Sequence, residues 1–341
     1  EACAVVDPLA DGIDLGPLFE LLRAPVIKVF HAARQDIEIF YTLTGEIPEP
    51  VFDTQVAAMV CGYGEQVGYE TLVRRIARAE IDKTSRFTDW SARPLSKKQL
   101  AYAVADVTHL RAVYEELSRR LAETGRGAWV AEEMAALTDP ETYRVDPDEV
   151  WRRVKARSNS PRFLGLVRAL ARWREVTAQA RDVPRSRILK DDALIEIASA
   201  RPRTPEELHR LRLLQREGRK TETAAEILAA VEEGLACPEE RLPRPPPAPR
   251  RREGSSAVAD LLRVFLKARA DRLGIASKLL ASSSDLDALA GEEEPDVPAM
   301  RGWRYECFGR DALRLRDGEL AIAAGRKGIE LIERASAEAG A

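Results

Sequence analysis

The chain has 341 residues, of which 45% are hydrophobic and 32% charged, with a net charge of −3. This is the composition of a globular chain with room for two or three cores, and no apolar run approaches the ~20 residues a bilayer span needs. Cys3, Cys61, Cys237 and Cys307 lie far apart without a C-x-x-C, and three histidines complete no zinc pattern. A disulfide framework and structural zinc are therefore not expected, which suits a cytoplasmic protein.

The small net charge hides an asymmetry. Residues 1–150 carry 16 basic and 26 acidic side chains, a net −10, whereas residues 151–190 carry 12 basic and 2 acidic, a net +10. An acidic half suits a metal–carboxylate site, and a short basic segment suits a polyanion, although a solvated helical surface gives the same pattern.

In chain order, Ala4 to Val6 reads as a short strand closed by Asp7-Pro8, and Leu15 to Leu22 as a short amphipathic helix. VIKVF, Val26 to Phe30, is a β-branched strand. HAARQDIEIFYTLTG follows as a helix with Ile37, Phe40, Tyr41 and Leu43 inward and Gly45 as its stop. A strand running into a helix signals an α/β domain. Asp36 falls near the start of that helix, where a carboxylate suits either a ligand site or the helix dipole.

Two short helices around a Gly-rich turn are expected next, with Asp53 as an N-cap; Gly62, Gly64 and Gly68 lack the spacing of a phosphate loop. Ile81 to Asp89 reads as an exposed loop in which Lys83 is a surface lysine within reach of a phosphate. Ser96 and Gln99 form an S-x-x-Q box that should open a helix, with Leu100, Ala103, Val107, Leu110, Tyr114, Leu117 and Leu121 as its inward stripe. Tyr102 and Asp106, four apart, share one face, and a phenol one turn from a carboxylate can hold a cation and position a water. The same pair also arises by chance on half-buried helices.

Thr88 to Leu110, TDWSARPLSKKQLAYAVADVTHL, closely resembles the third exonuclease motif of ribonuclease D, in the DEDD superfamily of 3′–5′ exonucleases. The Y-x-x-x-D of that motif falls on Tyr102 and Asp106, and W-x-x-R-P-L on Trp90, Arg93, Pro94 and Leu95. KVFHAARQDIEIF resembles the second motif, whose metal-binding aspartate falls on Asp36. The resemblance implies a ribonuclease H-like α/β exonuclease domain over residues 1–148, in which His31 is structural. It also implies two-ion hydrolysis with Mg²⁺ or Mn²⁺, Tyr102 orienting the water and Asp36 and Asp106 as metal ligands. The first motif of the family, D-x-E on a strand, does not occur ahead of Asp36. Two of four acids and the opening strands are therefore expected to be missing, as in an N-terminally truncated and inactive ribonuclease D.

Residues 149–237 read as an all-helical domain with helices over Arg162 to Thr177, Asp191 to Ala200, Pro205 to Leu214 and Thr221 to Leu235. VPRSRILKDDAL resembles the basic loop of an HRDC domain, which makes Arg185, Arg187 and Lys190 candidate phosphate contacts. Trp173 is placed in its core. Residues 238–256 form a proline-rich, semi-rigid spacer. Residues 257–341 read as a second all-α HRDC-like domain with a mobile acidic loop near Ser282 to Pro298; RGWRYECFGRDALRLRDGELAI carries that looser likeness. The expected protein is a monomeric 3′–5′ exoribonuclease trimming structured RNA such as tRNA precursors. The alternatives are a non-catalytic RNA-binding protein and a DNA 3′–5′ exonuclease of the same superfamily.

Overall fold

The structure is a computed structural model and describes residues 3–156, 158–214, 221–244, 252–326 and 328–334. It divides into two compact units: Glu1–Tyr143 with Pro249–Ala341, and Arg144–Ala248. Among the described residues no helix is long and apolar enough to cross a membrane.

In the first unit, α1 (Gly16–Arg23) leads to β1 (Lys28–Phe30), α2 (Arg34–Thr44), β2 (Val51–Asp53) and α3 (Thr54–Val60). The strands β1 and β2 pair in parallel with Lys28 opposite Val51 and Phe30 opposite Asp53. The helix α2 ends where it should, with Gly45 left-handed at φ 73°. The strand expected at Ala4 to Val6 does not form; Val5 and Val6 are exposed, and no strand pairs with them among the described residues. Apolar β-branched residues make a strand only where a neighbour takes the ladder bonds.

One carboxylate joins the strand ends. Asp53, 3% exposed, accepts from the Gln55 amide at 2.7 Å, capping α3, and from the Ala32 and Ala33 amides at 3.0 and 2.8 Å, tying down the entry to α2.

The expected long helix is two, α4 (Lys97–Thr108) and α5 (Leu110–Thr124), broken at His109. The Thr108 hydroxyl donates back to the Val104 carbonyl at 2.7 Å, a bond that favours a bend. The inward stripe is real only in α5, where Leu110, Val113, Leu117 and Leu121 are buried; Leu100 and Val107 are 39% and 50% exposed. The Ser96–Gln99 capping box forms as read, with both reciprocal bonds present.

After α6 (Gly127–Leu137) the chain enters the second unit, described below by itself. Its helices are α7 (Pro161–Ala180), α8 (Arg185–Ile188), α9 (Asp191–Ala200), α10 (Pro205–His209) and α11 (Thr221–Ala236). They enclose a separate core that includes Leu170, Leu194, Ile197, Leu208 and Ile227. The helix expected to reach Leu214 stops at His209. Trp173 packs on this core and donates its indole N–H to Glu226 at 3.1 Å. Residues 245–251 of the proline-rich spacer lie outside the described residues.

The segment from Pro249 returns to the first unit instead of standing apart as a third domain. It carries α12 (Ser255–Leu273), α13 (Ser283–Gly291) and α14 (Arg310–Arg316), then the antiparallel hairpin β3 (Leu320–Gly325) and β4 (Gly328–Glu333). It is therefore not all-α, because Leu-Ala-Ile-Ala-Ala and Gly-Ile-Glu-Leu-Ile-Glu pair antiparallel, with Leu320 opposite Glu333 and Gly325 opposite Gly328. The acidic loop expected to be mobile contains α13, opened by a Ser282–Asp285 capping box and pinned by buried Leu286 and Leu289. Trp303 stacks on Trp129 of α6 at 4.3 Å and 8°. The Arg126 guanidinium bonds the carbonyls of Val60 and Leu273 at 3.1 and 2.6 Å. A side chain at Gly62 would meet the Gly274 carbonyl oxygen at 2.4 Å, so this close approach needs glycine.

Candidate active site

A cleft of about 370 Å³ opens in the first unit, and Tyr102 and Asp106 of α4 both line it. Opposite them stand His31, Tyr69, Glu70, Lys83 and Arg86. The sequence places α4 here through its first turn. Gln99, 7% exposed, closes the capping box and donates to the Asp89 carbonyl at 3.0 Å and the Thr88 hydroxyl at 3.3 Å. This fastens the 88–95 segment to the helix. The rings of Trp90 and Tyr102 lie 5.9 Å apart, and Arg93 forks onto Asp7, donating through Nε at 2.7 Å.

The far wall hangs from the end of β1. The Thr54 hydroxyl donates to the Phe30 carbonyl at 2.9 Å and lies 3.0 Å from His31 Nδ1, so His31, which also lines the cleft, is held at the strand end. The His31 ring meets Tyr69 at 5.6 Å, and the Tyr69 hydroxyl donates to the Ala105 carbonyl at 3.2 Å. Tyr69 thus joins the strand end to the turn of α4 that carries Asp106. Sequence reading missed it, because a tyrosine in a short connecting helix carries no periodic signal.

The cleft is of mixed charge, with Asp106 and Glu70 among its acids and Lys83 and Arg86 among its bases. Partial burial raises the Asp106 carboxyl from its ordinary value, and among the described residues no cation pairs with it. Burial also raises the Tyr102 phenol, with the Asp106 charge adding to the effect. Tyr69 is pushed up to about 12 by burial and then by Asp106. A carboxylate without a counter-charge gains from a bound cation. Lys83 is ion-paired with Glu70, and with Arg86 it supplies the positive side of the cleft.

Asp36 sits in the first turn of α2, and burial raises its carboxyl, with Asp53 contributing like-charge repulsion. It is not among the residues lining the cleft. Among the described residues no group of three or more His, Cys, Asp or Glu could hold a metal ion. Asp36 and Asp106 by themselves therefore do not make the site of an ion pair, which takes several oxygen ligands per ion.

In the second unit, Arg185, Arg187 and Lys190 lie on or beside α8, all exposed. Arg185 approaches the buried Glu175 at 4.0 Å; Arg187 and Lys190 have no ion pair among the described residues. The loop that carries them is held from below by Arg174, 3% exposed, which donates to the Leu189 carbonyl at 3.0 Å and to Asp191 at 2.6 Å.

Residues 1–122 match the family model for a 3′–5′ exonuclease, and residues 163–231 match the HRDC domain. The ribonuclease D of Jannaschia sp. (strain CCS1) is 54% identical over 330 residues, covering 96% of this chain and 85% of that protein. The ribonuclease D of Granulibacter bethesdensis is 52% identical over 337 residues, 97% of this chain and 85% of the relative. Among solved structures, Escherichia coli RNase D, described as an exoribonuclease involved in structured RNA processing, superposes with a TM-score of 0.76 at 27% identity. It covers 90% of this chain and 83% of its own.

Proposed function

The chain belongs to the ribonuclease D family of hydrolytic 3′–5′ exoribonucleases, and from that premise we propose that the Tyr102–Asp106 cleft receives the 3′ end of structured RNA, tRNA precursors included. The observation that carries this reading is that Tyr102 and Asp106, one turn apart on α4, line one cleft with Lys83 and Arg86. Lys83 and Arg86 offset phosphate charge, and the Tyr102 phenol orients the attacking water. Activity is expected to depend on Mg²⁺ or Mn²⁺, which when bound would supply an activated water. Asp106 and Asp36 are the acids here that such an ion would use, and two carboxylates hold it weakly. Arg185, Arg187 and Lys190 are proposed to hold the body of the RNA through its phosphates, which sets affinity and register, not sequence preference.

A 5′-labelled RNA incubated with Mg²⁺ or Mn²⁺ tests the proposal. The expected result is slow shortening from the 3′ end by single nucleotides, abolished by chelation and by Asp106→Asn. Cleavage that survives either treatment would overturn it. The lack of a three-ligand cluster among the described residues favours one second reading, an RNA-binding chain that seats a 3′ end without cutting it. Tight RNA binding with no shortening at any ion concentration would select that reading.

A further inference from the structure

Phe87 is 90% exposed, against 62% for Ile39, the next most exposed large apolar side chain among the described residues. Single apolar residues at a surface are ordinary. This one differs in where it stands and how firmly it is presented. It follows Arg86, which lines the cleft, and lies one turn of chain from Lys83, which lines it too.

The loop is built to hold it outward. Ser85 is 5% exposed and anchors the turn. The Thr88 hydroxyl and amide both donate to the Ser85 carbonyl, at 2.7 and 3.2 Å, and the Arg86 amide donates to Lys83 at 3.0 Å. Asp82 accepts from the Thr84 amide at 2.9 Å, and Gln99 clamps Thr88 to α4. With Ser85 turned in and both flanks tied, Phe87 projects from a fixed backbone. The Arg86 guanidinium lies 5.1 Å from the Phe87 ring centroid, and among the described residues no carboxylate pairs with Arg86.

An aromatic face beside unpaired positive charge, at the rim of a cleft that takes a nucleic-acid end, matches what an unstacked base seeks. The ring offers a stacking surface, and the guanidinium offers both stacking and charge for the adjoining phosphate. Resting on the nuclease reading of the cleft, we infer that Phe87 and Arg86 form a platform on which a base of single-stranded RNA stacks as the strand enters. Stacking is indifferent to base identity, so the platform grips any sequence and favours an unpaired 3′ end over a paired one.

Fluorescence anisotropy with a 5′-labelled single-stranded RNA, in chelator so that no cleavage occurs, tests the platform. Phe87→Ala is expected to weaken binding about tenfold, the loss of one base–aromatic stack, and Phe87→Trp to restore it. An abasic site stepped back from the 3′ end should weaken the unaltered protein by a similar factor at one position, and that position should be silent in Phe87→Ala. Two results would overturn the platform, and they differ in what else falls. If Phe87→Ala binds as the unaltered chain does while Tyr102→Ala and Lys83→Ala bind more weakly, the cleft stands and the platform is wrong. If none of the three variants changes binding, the nuclease reading of the cleft fails with it.

Discussion

Two consecutive helices divide the work of the first unit. The helix α5 buries Leu110, Val113, Leu117 and Leu121, two of them completely, and is held by the core. The helix α4, one residue earlier, buries only Gln99 and presents Tyr102 and Asp106 to the cleft. A helix with little buried apolar surface draws its position from specific bonds: the capping box, the Gln99 clamp and the Tyr69 tether at Ala105. Side chains that line the cleft are thereby kept off the element that supplies stability, and each can change without the other.

That division can be broken by comparing one leucine on each helix. Leu117→Ala should cost about 3 kcal/mol, as for a fully buried leucine that leaves a cavity, because Leu117 has no exposed surface. Leu100→Ala, at a 39% exposed position, should change stability by no more than about 0.5 kcal/mol. Chemical denaturation measures both, and similar losses would mean that α4 is also a core helix.

A smaller effect is expected in the pH dependence of stability. Burial raises the folded-state Asp106 carboxyl above its ordinary value of 3.8. Between that value and the raised one the folded chain holds the proton more tightly than the unfolded chain. Stability therefore falls as pH rises through this window. Asp106→Asn should remove that part of the slope and leave the melting temperature at neutral pH unchanged or slightly higher. An Asp106→Asn protein that melts well below the unaltered chain would show the carboxylate to be a structural group.

Much of the candidate site was legible because its residues fall in one continuous stretch that resembles a ribonuclease D motif; spacing alone left the pair ambiguous. Tyr102 and Asp106 fall four apart behind a capping box, and both the box and the shared cleft form. Short-range rules also located β1, α2 and α9 to within a few residues. What sequence reading missed is long-range or aperiodic. Trp129 and Trp303 stack although about half the chain's length separates them, and neither residue announces the other. The β3–β4 hairpin alternates too weakly between its glycines to separate from the helix before it. Phe87 sits in a loop, where no period distinguishes an outward side chain from an inward one. The break at His109 was missed because an apolar stripe continues through it in sequence while burial does not.

In the proposed reading, an RNA 3′ end enters the cleft between α4 and the 81–87 loop. Photo-crosslinking with RNA that carries a 3′-terminal 4-thiouridine, followed by peptide mapping, tests it whether or not the chain cuts. Crosslinks should fall on peptides containing Tyr69, Phe87 or Tyr102 and should disappear when unlabelled RNA competes. Crosslinks confined to residues 144–248, or spread over the surface and indifferent to competitor, would contradict it.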